Sequence, residues 1–382
     1  MGIFSKNRWR RLLCLLGISL VIGACRTPET KSRGEASGGI QVPGPGVAPQ
    51  LGFACCEHSI EEMQSLFSQA GLIENLKDLH ATVAIPILDF SSQRADVVRL
   101  LNRQEIPVVA WILMPKTQGY YLTADNAPAA VARFAEFNEW TRNYSLRWRA
   151  VGLDVEPNVA ELSQLRGHWS RIATTLLRRG LDVSRIRRAS QTYSSLMDQI
   201  RSHGYPVQIY QMPYIAAERR AHSSLPHRLL GTIDLRGDEE YLMLYTSSAR
   251  PIGAGMIWSL GSQAWGITIG STDGDAVPGT GSGPLDWDEF ARDLIVASHF
   301  TRHIGIYDLE GCVRQGFLPR LIPFDWSKSV TIPAESVQRA KRLGFIARSS
   351  LWIISNLIYL LLAGILLVIW LSWRCVSATR QR

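Results

Sequence analysis

Eight short apolar runs punctuate the middle of the chain, at 51–56, 82–88, 107–114, 150–156, 207–213, 241–245, 265–270 and 303–309. They are continuous rather than alternating, as strands covered on both faces should be. Polar stretches with helical apolar spacing fall between them, clearest at 92–101, 127–144 and 286–299. Ser59 followed by Glu61 and Glu62 reads as an N-cap with acids in the first turn. The interval 158–203 is longer than one crossover requires and should hold a second helix near 190–202; the Gly-rich 249–262 is the weakest helix. Strand and helix alternating eight times predict an α/β fold, a closed parallel (β/α)8 TIM barrel over 51–325. An open doubly wound sheet would want a Gly-rich dinucleotide loop after its first strand, and none is present.

The flanks read differently. Lys6, Arg8, Arg10 and Arg11 precede an apolar run at 12–24, which makes 1–25 a signal peptide. Its end, Ile22-Gly23-Ala24-Cys25, resembles the lipobox of bacterial lipoproteins, and that resemblance implies lipidation at Cys25. Residues 26–50, rich in Pro, Gly, Ser and Thr, read as a flexible linker. A juxtamembrane segment at 326–350 leads to 351–373, which has no charged residue and carries Trp352, Tyr359, Trp370 and Trp373. That pattern predicts a transmembrane helix with a cytoplasmic tail at 374–382. The expected location is a bacterial inner (cytoplasmic) membrane, with the barrel periplasmic or extracellular.

Net charge is +8, but four of those charges sit in the signal and three in the tail, which leaves the rest near +1. The basic balance is therefore no argument for a nucleic-acid partner. Of six cysteines, Cys55, Cys56 and Cys312 fall in the exported part, so one disulfide between Cys312 and either of the pair is an option; three buried thiols is the other. No His or Cys spacing suggests a metal, and no cofactor is expected.

In such a barrel the chemistry sits at the C-terminal strand ends. Gly152-Leu153-Asp154-Val155-Glu156 ends the fourth run with two carboxylates two residues apart, on one face of a strand. Paired carboxylates can divide into acid and ionised partner. Other strand ends offer Glu57, Asp89, Tyr210, Gln211, Tyr214, Tyr245 and Glu310. Acids, amides and aromatics together suit a sugar, with Tyr210, Gln211, Tyr214, Tyr245, Asp89 and Glu57 as substrate contacts.

The fourth-strand Asp-x-Glu resembles that of family 18 chitinases and of family 25 lysozymes, both barrel hydrolases of aminosugar glycans. The chitinase resemblance implies Glu156 as general acid and Asp154 as partner of the substrate's acetamido group, with Tyr210 and Tyr245 in the places of that family's later tyrosines. Two acids of its motif are replaced by Gly152 and Arg149, and the lysozymes' first-strand Asp has no counterpart. The expected function is a membrane-anchored glycoside hydrolase acting on an aminosugar polysaccharide, with Glu310 as a second candidate carboxyl facing Glu156. The alternatives are a non-catalytic glycan-binding or envelope scaffold barrel, and a structural Asp154–Glu156 pair held by arginines such as Arg149.

Overall fold

The computed structural model describes residues 38–55, 59–158, 169–274 and 283–379. Ten strands appear in it: β1 (Gly39–Val42), β2 (Gln50–Ala54), β3 (Thr82–Ile87), β4 (Val108–Ile112), β5 (Ala150–Val155), β6 (Val207–Gln211), β7 (Glu239–Leu244), β8 (Gly266–Gly270), β9 (His303–Tyr307) and β10 (Val330–Pro333). β2 to β9 form a closed barrel in sequence order, every pair parallel. The seam closes where β2 pairs β9, from Gln50 opposite His303 to Ala54 opposite Tyr307. The eight runs of the sequence are these eight strands.

Alternation along each strand sorts its side chains. Val83, Ile85 and Ile87 of β3, or Val151, Leu153 and Val155 of β5, face the helices and belong to the apolar core. Burying each such side chain stabilises the fold by about 1.5–3 kcal/mol. The opposite set points inward and is mostly small on β2, β3, β8 and β9: Gly52, Ala54, Ala84, Thr268 and Gly305. Bulk comes instead from Trp111, Tyr210 and Tyr241. Gly152 shows why: a Cβ there would lie 2.9 Å from the Tyr210 ring and 3.4 Å from Val109. The barrel is thus filled from one side.

The helices follow the periodicity. Ser91 caps helix Ser92–Arg103, and capping boxes start helices Ile60–Phe67 at Ser59 and Trp287–Ser298 at Asp286. The long interval after β5 contains helices Trp169–Leu181 and Val183–Ser202.

Two expectations are corrected, and one left open is decided. Part of the supposed tether is β1, antiparallel to β10 with Gly39 opposite Pro333 and Val42 opposite Val330. Val42 and Ile332 are fully buried there. Four residues in a Pro- and Gly-rich setting carry almost no strand signal, and the partner is far away in sequence. Residues 351–373 are not one helix. The first five end helix Ala334–Ser355, and a second helix, Leu357–Thr379, follows Asn356. Among the described residues no single helix is long and apolar enough to cross a membrane; Ala334–Ser355 and Tyr359–Trp370, bent by 68°, pass that test only together. Last, Cys55 and Cys312 are free thiols, each with its own partner. Cys55 Sγ donates to Glu310 Oε1 at 3.1 Å, and Cys312 Sγ to Thr272 Oγ1 at 3.7 Å. The seam is closed without a Cys55–Cys312 bridge; Cys56 lies outside the described residues.

Candidate functional site

Asp154 shares the inward face of β5 with Gly152, at the C-terminal end of the barrel. It is 3 % exposed, whereas Glu156, one residue past the strand, is half-buried. The segment after β4 is folded back against this strand end. Leu122 N–H donates to Asp154 O at 3.0 Å and forms a parallel bridge opposite Val155. Asn126 holds that segment by accepting from Thr123 N–H at 2.8 Å and donating to Gln118 O at 2.9 Å and Tyr121 O at 2.8 Å. Tyr193 Oη ties it to the helix behind through Thr123 O at 3.0 Å. The acid pair therefore rides on a pinned strand end rather than a loose loop. Glu156 is close enough to Tyr214 that its charge, after burial, helps raise that phenol's pKa.

Around the mouth stand Tyr245, just past β7, and Tyr307, ending β9, with ring centroids 5.3 Å apart. Inward-facing Trp111 of β4 is 6 % exposed, and its Nε1–H has no acceptor among the described residues. A buried donor left in that state asks for an explanation, and a polar ligand supplies one. Asp308 caps helix Leu309–Arg314 by accepting from Gly311 N–H at 2.7 Å. Burial pushes its carboxyl up to about 7, with Glu310 and Asp273 adding repulsion. Asp273 also pairs with Arg314.

The remaining candidates scatter. Tyr210 lies inside the barrel below the mouth. Its hydroxyl donates to Gln208 Oε1 at 2.8 Å, burial pushes it well above the usual phenol range, and its ring packs on Tyr241 at 5.6 Å. With Arg149 and Gln208 it lines a void of about 40 Å³, far smaller than a sugar site. Gln211 faces outward, donating to Leu235 O at 2.6 Å and accepting from Arg219 at 3.2 Å. Tyr214 is buried against Thr232 at 2.6 Å. Asp89 is a latch: it accepts from Arg94 Nη2 at 2.8 Å and Ser91 N–H at 3.0 Å, and these bonds hold its carboxyl down at about 2 against the opposing effect of burial. These four were expected to touch substrate; in the structure each bonds to another part of the protein. Glu310, the second candidate carboxyl, is 9 % exposed and lies in the first turn of helix Leu309–Arg314. It accepts a hydrogen bond from the Cys55 thiol and lines a groove of about 420 Å³ between helices Ile60–Phe67 and Leu309–Arg314. Arg149 does not hold the acid pair; it sits at the other end of β5 and pairs bidentately with Glu239 at 2.7 and 2.9 Å. Glu57, Cys25 and Cys56, and residues 159–168 and 275–282, lie outside the described residues.

Trp111 and Tyr307 were missed because each sits inside a run that reads as plain apolar strand. Counting inward positions back from Asp154 across the register would have found Trp111, which pairs with Gly152.

No protein-family model matches the chain, and no curated protein does. Similar solved structures exist. The PgaB (BpsB) glycoside hydrolase domain from Bordetella bronchiseptica has TM-score 0.43 and 11 % identity, covering 72 % of this chain and 98 % of that one. A putative alpha-L-fucosidase from Bacteroides thetaiotaomicron has TM-score 0.41 and 9 % identity, covering 77 % and 98 %. A mutant tryptophan synthase alpha-subunit from Pyrococcus furiosus has TM-score 0.35 and 8 % identity, covering 80 % and 98 %. Likeness at this level carries no chemistry, so the functional reading rests on the site itself.

Proposed function

We propose that this chain is a glycoside hydrolase-like barrel, tethered to a membrane and acting on an aminosugar-containing polysaccharide. One observation carries the reading: Asp154 lies on the inward face of β5 at its C-terminal end, nearly sealed, and Glu156 follows one residue past the strand, half-buried. That gradient suits a division of labour. Glu156 donates the proton to the leaving oxygen, and Asp154 assists from behind, positioning the substrate's acetamido group. Tyr245 and Tyr307 offer a ring platform at the mouth, and the Trp111 indole N–H a donor. The anchor in this proposal is the apolar stretch Tyr359–Trp370 together with the helix Ala334–Ser355 before it, with the signal and a lipid at Cys25 at the other end of the chain, in a bacterial inner membrane.

A second reading, a barrel that holds a glycan without cutting it, is favoured by the commitment of Tyr210 to Gln208. The two part on one experiment. The full chain in detergent is given aminosugar polysaccharides, and both retention and new reducing ends are measured. The hydrolase releases product, and Glu156→Gln lowers turnover by about 100-fold or more while the unfolding midpoint stays put. Retention without release by the unaltered chain leaves the binding module; unchanged turnover in Glu156→Gln removes the assignment of the acid.

A further inference from the structure

Helix Ala334–Ser355 is built into the barrel wall. Ser336, Val337, Ala340, Ala347 and Leu351 are its buried residues, spaced as one helical stripe. That stripe packs on helices Gly253–Leu260 and Tyr214–Ala221. The approach is close: a Cβ on Gly255 would lie 2.4 Å from Ser336 backbone, and Gly255 N–H donates to Ser336 Oγ at 3.0 Å. At the far end Ser355 Oγ meets Ser223 Oγ at 2.8 Å. This helix is not a loose stalk.

Its opposite face is unusual for a soluble surface. Lys341, Arg342 and Arg348 are exposed, and so are Phe345 at 64 %, Ile346 at 54 % and Trp352 at 47 %. The whole helix has one acid, Glu335, which is paired to Arg339. Cations interleaved with large apolar side chains on one face is the pattern of a helix lying in a lipid interface. The apolar ends enter the acyl boundary while the long basic side chains reach the headgroups. Directly after it the chain bends by 68° into the apolar stretch Tyr359–Trp370. A bend of that size is what joins a helix in the plane of a bilayer to one entering it.

We infer that the outward face of Ala334–Ser355 docks on an anionic lipid surface and so clamps the barrel side-on against the bilayer. This rests on the membrane-anchor reading above and adds an orientation to it: the flank carrying the β6 and β7 helices faces lipid, and the flank after β2 faces water.

Lysine reactivity tests it on the full chain. The protein is reconstituted into neutral phosphatidylcholine vesicles and into vesicles with roughly a third phosphatidylglycerol. Each lysine's modification by a water-soluble amine reagent is then followed by mass spectrometry. Lys341 should react about tenfold more slowly in the anionic vesicles, since each basic residue near such a surface adds to the attraction. Lys77, exposed on the helix Leu72–Asp78 that follows β2, is the internal reference and should react equally in both. Arg342→Glu with Arg348→Glu should return Lys341 to its neutral-vesicle rate while the chain stays with the vesicles. Equal Lys341 rates in the two lipids, with the chain still floating with vesicles, overturn the docking face and leave the anchor standing. A chain that never floats with vesicles overturns the anchor, and the docking face with it.

Discussion

The two ends of the barrel are built on opposite principles. At the N-terminal end charge is matched and locked: Arg149 grips Glu239 through two bonds, Gln208 donates to the same carboxylate at 2.6 Å, and Tyr210 donates to Gln208. Trp265 and His303 stack over this end at 3.9 Å, nearly parallel. At the C-terminal end Asp154, Glu156, Asp308 and Glu310 gather on four different surroundings, and one of them is raised to about 7. Titratable groups pushed away from their ordinary range by burial mark sites where chemistry is done. A matched network marks a plug. The same strand, β5, carries Arg149 into the one and Asp154 into the other, so substitutions along it should separate stability from activity.

The largest stability effect belongs to the plug. Glu239→Ala leaves Arg149 half-buried without its carboxylate, and also strips Gln208 of its acceptor. Loss of one partner of a partly buried pair should lower stability by about 3 kcal/mol, read from denaturant midpoints. Whatever fraction stays folded should keep its turnover per molecule, the reverse of the Glu156→Gln outcome. A Glu239→Ala protein that is as stable as the parent would mean the network is ornament.

Midway between the ends, Gly152→Ala is the next probe. The new methyl group would press on the Tyr210 ring at 2.9 Å, and that ring is pinned by its hydroxyl and by Tyr241. Overpacking of this kind should cost about 2 kcal/mol. Because Asp154 lies two residues on, turnover should fall as well, by less than for Glu156→Gln. A fall in stability with unchanged turnover would show that the strand end is set by Leu122 and the segment after β4, independently of the strand interior.

The barrel was legible because strands covered on both faces leave continuous apolar runs, and all eight did so. The N-cap at Ser59 was legible because capping is local chemistry. Direction was the harder quantity. Gln211 follows Tyr210 by one residue and therefore faces the helices, while Tyr210 faces inward; a list of polar residues near strand ends cannot make that distinction unless inward positions are counted from a fixed residue. Asp89 looked like a site acid because its partner, Arg94, is buried beneath the helix that follows it. The β1–β10 ribbon and the break at Asn356 were missed because one depends on a distant partner and the other on a single polar residue in an apolar run, where Asn356 Nδ2 donates to Trp352 O at 2.8 Å.

The mouth has a pH signature of its own. Asp308 is raised to about 7 in the fold, so its contribution is full only below the ordinary carboxylate range, declines as pH rises above it, and is gone once pH has passed about 7. Asp308→Asn keeps a good cap for Gly311 and cannot ionise. The variant should match the parent in buffers near the ordinary carboxylate range and gain about 1–2 kcal/mol over it in mildly alkaline buffer, the amide itself bearing part of the burial cost. Thermal midpoints across pH measure this. A constant gap would place the effect in the cap and not in the charge.

The smallest effect concerns the seam between β2 and β9, which lies beside that same mouth. Sequence allowed a bridge from Cys312 to Cys55, yet the two thiols turn to different partners, Thr272 and Glu310. Burial, with Glu310 beside it, pushes the Cys55 thiol up, and burial pushes Cys312 up as well. Thiols held in that state are poor nucleophiles and resist oxidation. The seam is instead held by the backbone ladder of β2 with β9, while on the other side of β9 the Thr272 hydroxyl, past β8, accepts from Asp308 N–H at 3.0 Å and donates to Asp308 O at 2.7 Å. Without reductant, Cys55 and Cys312 should therefore stay unmodified by an alkylating reagent in the folded chain and react fully once it is unfolded, each followed by its own peptide. If either resists alkylation after unfolding until a reductant is added, that sulfur was already oxidised, and the ladder does not close the barrel alone.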